Sequence, residues 1–485
     1  MPTNRICSLV AIIALALAAT NPIAHAQTYV DVYNFGTNSG DPLPEESQNT
    51  LVQGRDGNLY GTAQAGGAQG FGAVFKITPG GTLTVLHSFT GSDGKYPASE
   101  LTLGTGGNFY GTTRLGGTVG ECSGLGCGTV FRITPSGNLT TLYNFTGGDD
   151  GAQPYAAPIQ ATDGNFYGTT EYGGMAGLCP GGFTGCGGIY KMTPSGAITV
   201  LHEFDVTDGK FPAGGLVQAD NGKFYGVTQA GGVHGAGVGF SITAGGKYVA
   251  LHSFKGDPSS PLSVLVAGSD GNFYGTCDGG ASSGGAAYEM DVNGNATALY
   301  SFGNKSGGGR NGPPFAGLIQ ATDGNLYGVT SSNGGPSTGP GVIYRITLER
   351  AYSFLYVFTL TGGFDAFVKP IQHTNGLLYG ETTYGGDLSC GFDGSGCGTL
   401  YSFDIGLAPF VSLVSTSGGI GKTIGILGQG FAGTTGVSFN GTPAAFAVKS
   451  DTYLTATVPS GATTGSVTVA TPGGTLVSNK QFRVN

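Results

Sequence analysis

Charged residues are scarce in this chain, and no segment has the periodicity of an amphipathic helix. Asp, Glu, Lys and Arg make up only 10% of the 485 residues, whereas hydrophobic residues make up 39%. That balance excludes a disordered protein, because disordered chains combine low hydrophobicity with high charge. The formal net charge of −9 argues against nucleic acids and anionic membrane surfaces as partners. Without helical periodicity, the sequence predicts an all-β protein.

The long apolar run lies at the N-terminus and is short for a membrane span. Residues 1–26 have the pattern of a secretory signal peptide, with Arg5 before the apolar residues 9–19 and Ala24-His25-Ala26 as the cleavage site. We therefore expect a mature protein that begins near Gln27, has no transmembrane segment and is secreted or held at the cell surface.

A motif centred on a Tyr-Gly pair recurs about every 50 residues, which indicates a tandem-repeat architecture. Glycine, at 95 residues, is concentrated in the turns and loops of these repeats. The tyrosines of the seven pairs are Tyr60, Tyr110, Tyr167, Tyr225, Tyr274, Tyr327 and Tyr379.

Each repeat contains four short segments that suit β-strands, named a, b, c and d in chain order. In the third repeat, residues 158–161 are followed by an Asp-Gly-Asn turn, residues 166–170, a glycine-rich loop, and residues 188–193 and 198–204. Four-stranded units of this length predict a seven-bladed β-propeller.

The two ends of the repeat region are complementary. The seventh repeat lacks a d strand after residues 399–403, and residues 29–35 resemble the d strands of the other repeats. The sequence therefore predicts that residues 29–35 complete the seventh blade and close the ring, which leaves no open edge.

Six of the seven cysteines beyond the signal peptide form close pairs in equivalent b–c loops: Cys122 with Cys127, Cys179 with Cys186, and Cys390 with Cys397. Export and hairpin geometry favour three disulfides within these loops. A metal site would need four ligands, and no His or second Cys pair lies beside them in sequence. Cys277 is expected to be a buried free thiol.

Other residues able to carry chemistry occupy repeated positions, which favours structural roles. The histidines alternate with tyrosines on the d strand, the aspartates open the a–b turn, and the glutamines lie on the a strand, where they either line a ligand site or satisfy backbone groups between blades. These sets are His87, His202 and His252; Asp56, Asp163, Asp270 and Asp323; and Gln53, Gln160, Gln218, Gln320 and Gln372. No catalytic, cofactor-binding or metal-binding residue is assigned.

The repeat stops before Pro409, and residues 409–485 form a second, smaller β domain. Residues 428–431 (Gly-Gln-Gly-Phe), 437–444 (Val-Ser-Phe-Asn-Gly-Thr-Pro-Ala) and 465–469 (Gly-Ser-Val-Thr-Val) closely resemble the IPT/TIG family. That resemblance implies an immunoglobulin-like sandwich. We interpret the basic residues of this domain as part of a solvated face and not as a phosphate-binding surface. They are Lys422, Lys449, Lys480 and Arg483.

The repeats themselves resemble the GloVer tandem repeat of exported bacterial proteins, on the motifs Asp-Gly-Asn-Phe/Leu-Tyr-Gly-Thr-Thr, Gly-Thr-Val-Phe-Arg-Ile-Thr-Pro and Leu-His-Ser-Phe. That family carries varied C-terminal surface anchors, which implies an exported location, and it brings no defined catalytic residues. The resulting organisation is a signal peptide at 1–26, a propeller at 27–405 and an IPT/TIG domain at 409–485.

Two functional classes remain open. The first is a non-catalytic binding or adhesion protein that recognises a glycan or an extracellular protein through its propeller loops. The second is a secreted polysaccharide-active enzyme, a lyase or glycoside hydrolase. A glycosidase needs two carboxyl groups that face each other across a pocket, and the acids outside the a–b turns are few. They include Glu100, Glu171, Asp278 and Glu381.

Overall fold

The computed structural model of the protein is all-β. It describes residues 27–44, 51–97, 99–118, 122, 124–174, 178–179, 183–212, 214–256, 258–279, 284–302, 313–331, 339–390 and 394–485. The predicted signal peptide, residues 1–26, lies outside the described residues. In the described ranges there is no helix that is long and apolar enough to cross a membrane.

Seven four-stranded antiparallel sheets, blades one to seven, each have the strand order a-b-c-d. The a strands are Val52–Gln53, Thr102–Leu103, Ile159–Gln160, Val217–Gln218, Val266–Ala267, Ile319–Gln320 and Ile371–Gln372. The b strands are Leu59–Ala63, Phe109–Thr113, Phe166–Thr170, Phe224–Thr228, Phe273–Gly279, Leu326–Val329 and Leu378–Glu381. The c strands are Ala73–Ile77, Thr129–Ile133, Gly188–Met192, Val238–Ile242, Ala286–Met290, Val342–Ile346 and Thr399–Asp404. The d strands of blades one to six are Leu83–Ser88, Leu139–Asn144, Ile198–Glu203, Tyr248–Ser253, Ala296–Ser301 and Tyr352–Val357.

Short strands form two separate two-stranded sheets and add a fifth strand to the sheet of blade five. Pro42–Leu43 pairs with Ala65–Gly66, Leu178–Cys179 pairs with Phe183–Thr184, and Ser259–Pro261 pairs with the b strand of blade five. All three additions lie at the end of the blades that carries the b–c loops and the d–a connections.

The Tyr-Gly motif explains how the blades pack. The ring of Tyr60 stacks on Phe109 of blade two with centroids 4.1 Å apart, and Tyr167 stacks on Phe224 of blade four at the same distance. The following glycine leaves room for the c-strand ring, since a Cβ atom at Gly61 would lie 2.7 Å from Phe75. Each motif therefore joins its own blade to the next through buried aromatic surface.

The N-terminal strand Thr28–Asn34 is the fourth strand of blade seven, which confirms the predicted closure. It runs antiparallel to Thr399–Asp404, with Tyr29 opposite Phe403 and Asn34 opposite Thr399. Tyr29 also stacks on Tyr356 of blade six, with ring centroids 4.0 Å apart. The beginning of the described chain is thus held by both the last and the sixth blade.

The C-terminal domain is a β-sandwich. Its strands are Ser412–Leu413, Ser417–Gly418, Thr423–Leu427, Gly436–Phe439, Thr442–Pro443, Phe446–Ser450, Tyr453–Thr457, Val467–Thr471, Gly474–Val477 and Arg483–Val484. Two four-stranded sheets cover one apolar core, which includes Ile426, Phe439, Leu454, Val467 and Phe482. This arrangement agrees with the immunoglobulin-like sandwich implied by the IPT/TIG resemblance.

Chain direction gives the propeller two distinct faces. The a–b and c–d turns lie on one, called the turn face; the b–c loops and d–a connections lie on the other, called the loop face. The C-terminal domain packs on the turn face: Thr452 Oγ1 donates to Arg55 O at 2.8 Å, and the Arg55 guanidinium lies 4.6 Å from the Tyr453 ring centroid. Gln429 Nε2 donates to Thr374 Oγ1 at 2.9 Å. The loop face lies at the opposite end of the blades.

Candidate functional site

The aspartates of the a–b turns hold the tyrosines of the Tyr-Gly pairs. Asp163 Oδ2 accepts hydrogen bonds from Asn165 Nδ2 at 2.9 Å and from the Tyr167 hydroxyl at 2.8 Å. Partial burial raises the pKa of Asp163, but hydrogen bonds from Asn165, Tyr167 and Lys191 outweigh it and hold that pKa below its usual value. The same tyrosine contact recurs at Asp56, Asp270 and Asp323. These carboxylates are part of the turn, as the sequence predicted.

The glutamines of the a strands connect neighbouring blades. Gln160 Oε1 accepts from Thr105 N of blade two at 2.7 Å, and its Nε2 donates to Gly164 O at 3.1 Å. Equivalent bonds from backbone N–H groups reach Gln218, Gln320, Gln372 and Gln53. Of the two roles left open by the sequence, the structure supports the second, because these amides satisfy backbone groups between blades.

The d-strand histidines behave as the sequence predicted, as equivalents of tyrosines. His87 Nε2 lies 2.7 Å from Asp93 Oδ2, and the Tyr33 hydroxyl donates to Asp41 Oδ2 at 2.8 Å. His202 and Tyr143 make the same contact with Asp208 and Asp150. In blades one, two, three and seven, a ring beside an aspartate of the d–a connection is therefore the common element.

The three predicted cysteine pairs are disulfides in the structure: Cys122–Cys127, Cys179–Cys186 and Cys390–Cys397. All three lie in b–c loops and hence on the loop face. Cys277 lies fully buried on the b strand of blade five, is not part of these disulfides, and its Sγ donates to Gly279 O at 3.2 Å.

The a strands surround the axis of the ring, and the space along this axis is called the channel. Its end on the loop face, called the mouth, combines aromatic and charged side chains. Tyr155, Phe367 and Ser99 line it, and Phe367 stacks on Phe315 with centroids 5.5 Å apart. Below them, Lys369 Nζ lies 2.9 Å from Glu100 Oε2. Lys369 and Glu100 line the mouth and also the cavity at the other end of the channel, so the pair lies between these two spaces.

Arg114 links the cystine-bearing loops of blades two and three beside this mouth. Its Nε donates to Gln153 Oε1 at 3.2 Å, its Nη2 lies 3.8 Å from Glu171 Oε2, and its guanidinium is 5.5 Å from the Tyr155 centroid. Burial raises the pKa of Glu171, and the Arg114 charge and a hydrogen bond from Tyr172 only partly oppose it. The cluster presents an aromatic face, a guanidinium and a carboxyl group together.

Sequence reasoning missed the Arg114 cluster and the Lys369–Glu100 pair. A signal was present in the repeat, since the positions equivalent to Glu100 and Lys369 in blades three to six are Ala157, Gly215, Val264 and Gly317. A charged residue at a position that is otherwise small or apolar marks a departure from the scaffold.

At the turn face, the channel widens into a cavity of about 650 Å³ between the propeller and the C-terminal domain. Three of the four basic residues interpreted from the sequence as a solvated face, Lys422, Lys480 and Arg483, line this cavity. Lys422 and Lys480 are exposed and Arg483 is half-buried, which agrees with a solvated face, and docking of the domain on the turn face places this face over the end of the channel.

Glu381 is the most perturbed acid of the described chain. It is 1% exposed, neither carboxyl oxygen has a hydrogen-bond partner, and burial raises its pKa to about 8. It stands where blades one and two have Thr62 and Thr112, whose hydroxyls donate to backbone carbonyls of the next blade. Glu381 thus replaces an inter-blade hydrogen bond with a buried carboxyl group.

Three of the acids outside the a–b turns have raised pKa values. The pKa shifts of Glu171, Asp278 and Glu381 come from burial and from neighbours other than carboxylates. Within the described residues, no three His, Cys, Asp or Glu side chains cluster closely enough to hold a metal ion.

Solved structures similar to this chain have low sequence identity to it. A fungal alcohol oxidase of the AA5 family, in complex with copper, is 13% identical, with a TM-score of 0.53, 94% of this chain covered and 98% of that chain. The PQQ-bound aldose sugar dehydrogenase of Streptomyces coelicolor is 14% identical, with 66% and 97% covered and a TM-score of 0.38. A luciferin-regenerating enzyme is 14% identical, with 79% and 97% covered and a TM-score of 0.38. No curated protein sequence matches the chain significantly.

Two protein families match the sequence directly. The Gloeobacter/Verrucomicrobia repeat matches residues 24–179 and 177–392, which together cover most of the chain. The IPT/TIG domain matches residues 409–484, the sandwich that packs on the turn face. The chain therefore belongs to the Gloeobacter/Verrucomicrobia repeat family and carries a C-terminal IPT/TIG domain.

Proposed function

We propose that this is an exported, non-catalytic binding protein that recognises a glycan or an extracellular protein through the loop face of its propeller. In this proposal residues 1–26 are removed as a signal peptide, residues 27–405 form the recognition domain, and residues 409–485 cover the turn face. The mature protein is then secreted or held at the cell surface.

One observation carries the proposal: the three cystine loops lie on the face opposite the IPT/TIG domain. A loop closed by a disulfide loses less conformational entropy when it binds, because the bridge has already restricted it. Binding residues are also disproportionately found on loops that a rigid scaffold positions. The loop face therefore offers surface that disulfides restrain and that the second domain does not cover.

The channel mouth gives this surface a chemistry suited to sugars. An aromatic ring such as Tyr155 provides a flat apolar surface for the C–H face of a pyranose. Arg114 and Glu171, at the same mouth, provide a charged donor and an acceptor for hydroxyl groups. A glycan is therefore the first partner to test, and an extracellular protein is the second.

The test is a glycan array probed with residues 27–485, followed by titration of the best ligand. Shortening the loop between Cys179 and Cys186 should abolish binding, and Tyr155→Ala should weaken it about tenfold, as expected for loss of one aromatic contact. Phe354→Ala is the matched control, because Phe354 is a 60% exposed ring on the outer d strand of blade six.

Equal binding by the Tyr155→Ala, loop-shortened and intact proteins would refute recognition through the loop face. Incubation with a panel of polysaccharides tests the alternative of a secreted polysaccharide-active enzyme. Release of sugar products by the intact protein would establish a lyase or hydrolase in place of a binding protein.

A further inference from the structure

The cavity between the propeller and the IPT/TIG domain is large enough for a small ligand. Its volume of about 650 Å³ lies within the range of ~300–1,000 Å³ that is typical of ligand pockets. The propeller contributes residues of the a strands and a–b turns, including Gln160, Gln218 and Asp220, and the other domain contributes Thr423 and Lys480. Two folded units thus line one cavity that is open to solvent.

The charge of this lining is opposite to that of the whole protein. Four cationic side chains, Lys369, Lys422, Lys480 and Arg483, face two anionic ones, Glu100 and Asp220. The chain as a whole has a formal net charge of −9. A positively charged cavity with low-dielectric walls concentrates anions, because the walls screen the field less than bulk water does.

Two ammonium groups in the cavity repel one another. Lys480 is exposed, but desolvation by the neighbouring protein lowers its pKa, and the Lys369 charge lowers it further against the attraction of Asp220. Lys369 already pairs with Glu100 at 2.9 Å. The positive charge of Lys369 therefore repels that of Lys480. An anion bound between them would attract both ammonium groups.

We propose that this cavity binds a small organic oxyanion, a molecule of about the size of a monosaccharide that carries a carboxylate or a phosphate. Its charged group lies between Lys480 and Lys369, within reach of the field of Lys422 and Arg483. Because both domains line the cavity, the bound anion also stabilises the docking of the IPT/TIG domain on the turn face.

The proposal is tested by calorimetric titration of residues 27–485 with galacturonate and with inorganic phosphate at low salt and pH 7. Galactose is the neutral counterpart of galacturonate. We expect galacturonate or phosphate, or both, to bind and galactose not to bind, and the stronger of the two anions identifies the preferred charged group. Failure of both anions to bind would overturn the proposal, as would equal binding of galactose.

Variants locate the site. Lys480→Gln should weaken anion binding about tenfold, since it removes one direct ion pair from the site, and Lys422→Gln should weaken it less. Lys449→Gln is the matched control, because Lys449 is exposed on the strand Phe446–Ser450 and does not line the cavity. An unchanged affinity in both Lys480→Gln and Lys422→Gln would refute the site. Neither result depends on glycan recognition at the loop face, so the two proposals fail separately.

Discussion

The buried carboxyl group of Glu381 should make the stability of the propeller depend on pH. Its folded-state pKa is raised to about 8 from 4.5, so that the folded protein keeps a proton that the unfolded chain has released. The contribution of Glu381 to the free energy of unfolding is therefore largest below pH 4.5, and it falls as the pH rises from 4.5 to 8. The shift corresponds to a loss of about 5 kcal/mol, at ~1.4 kcal/mol per pH unit.

Two substitutions separate the charge from the shape of this side chain. Glu381→Gln keeps the shape and cannot ionise, and Glu381→Thr restores the residue that blades one, two, three and five have at this position. Both variants should be more stable than the parent protein by several kcal/mol at pH 8, and the difference should largely vanish at pH 5. Glu381→Thr has an additional source of stability, since Thr62 and Thr276 donate to carbonyls of the next blade at 2.7 and 2.9 Å.

The assay is denaturant unfolding at several pH values, followed by tyrosine fluorescence because the chain has no tryptophan. Glu349→Gln serves as control, since Glu349 is exposed at the c–d turn of blade six. An identical pH dependence in the parent protein, Glu381→Gln and Glu349→Gln would show that Glu381 is already ionised at neutral pH. The reasoning from burial would then be wrong.

Two further predictions concern closure and export. Gln53→Ala should lower the free energy of unfolding by about 1–3 kcal/mol, because it leaves the buried N–H of Thr374 without a partner. Gln53→Ala should also accelerate hydrogen exchange in Thr28–Asn34, the strand that closes the ring. Gln218→Ala, which removes the equivalent contact between two internal blades, should not accelerate it. Equal exchange in both variants would contradict a special role for the junction of blades one and seven. Mass spectrometry of the exported protein without reductant should find a chain that begins near Gln27, with three intra-loop disulfides and Cys277 free. A retained leader or a cystine that joins two blades would be incompatible with this prediction.

The fold could be predicted from local sequence because its determinants are local and repeated. The Asp163 turn, the Tyr167 ring and Gly168 are close in the chain, and each blade repeats them with few changes. Closure by the N-terminal strand could also be predicted, because the sequence itself shows that the seventh repeat lacks a d strand and that an extra strand precedes the first repeat. The same regularity made the aspartates and histidines recognisable as scaffold.

The site could not be predicted, because it depends on how distant parts of the chain meet. Arg55 and Tyr453 are far apart in sequence, yet their contact helps to place the IPT/TIG domain over the channel. Nothing local to Lys480 indicates that it lines the same cavity as Lys369. Likewise, the sequence identifies Glu381 as an acid but does not indicate its burial, since that burial depends on packing between blades seven and one.

Departures from the repeat fall in the same part of the ring as the cystine loops. Blades two, three and seven carry the disulfides, and these blades also supply Glu100, Arg114, Tyr155, Glu171 and Lys369. At the axial position, blades two and seven have the charged residues Glu100 and Lys369, whereas blades three, four, five and six have Ala157, Gly215, Val264 and Gly317. Stability alone does not require one arc of a repeating ring to differ from the rest, because the remaining blades fold with the plain motif. Two independent kinds of variation on one arc are the pattern expected where a surface has been adapted to a partner, and this supports recognition at the loop-face mouth.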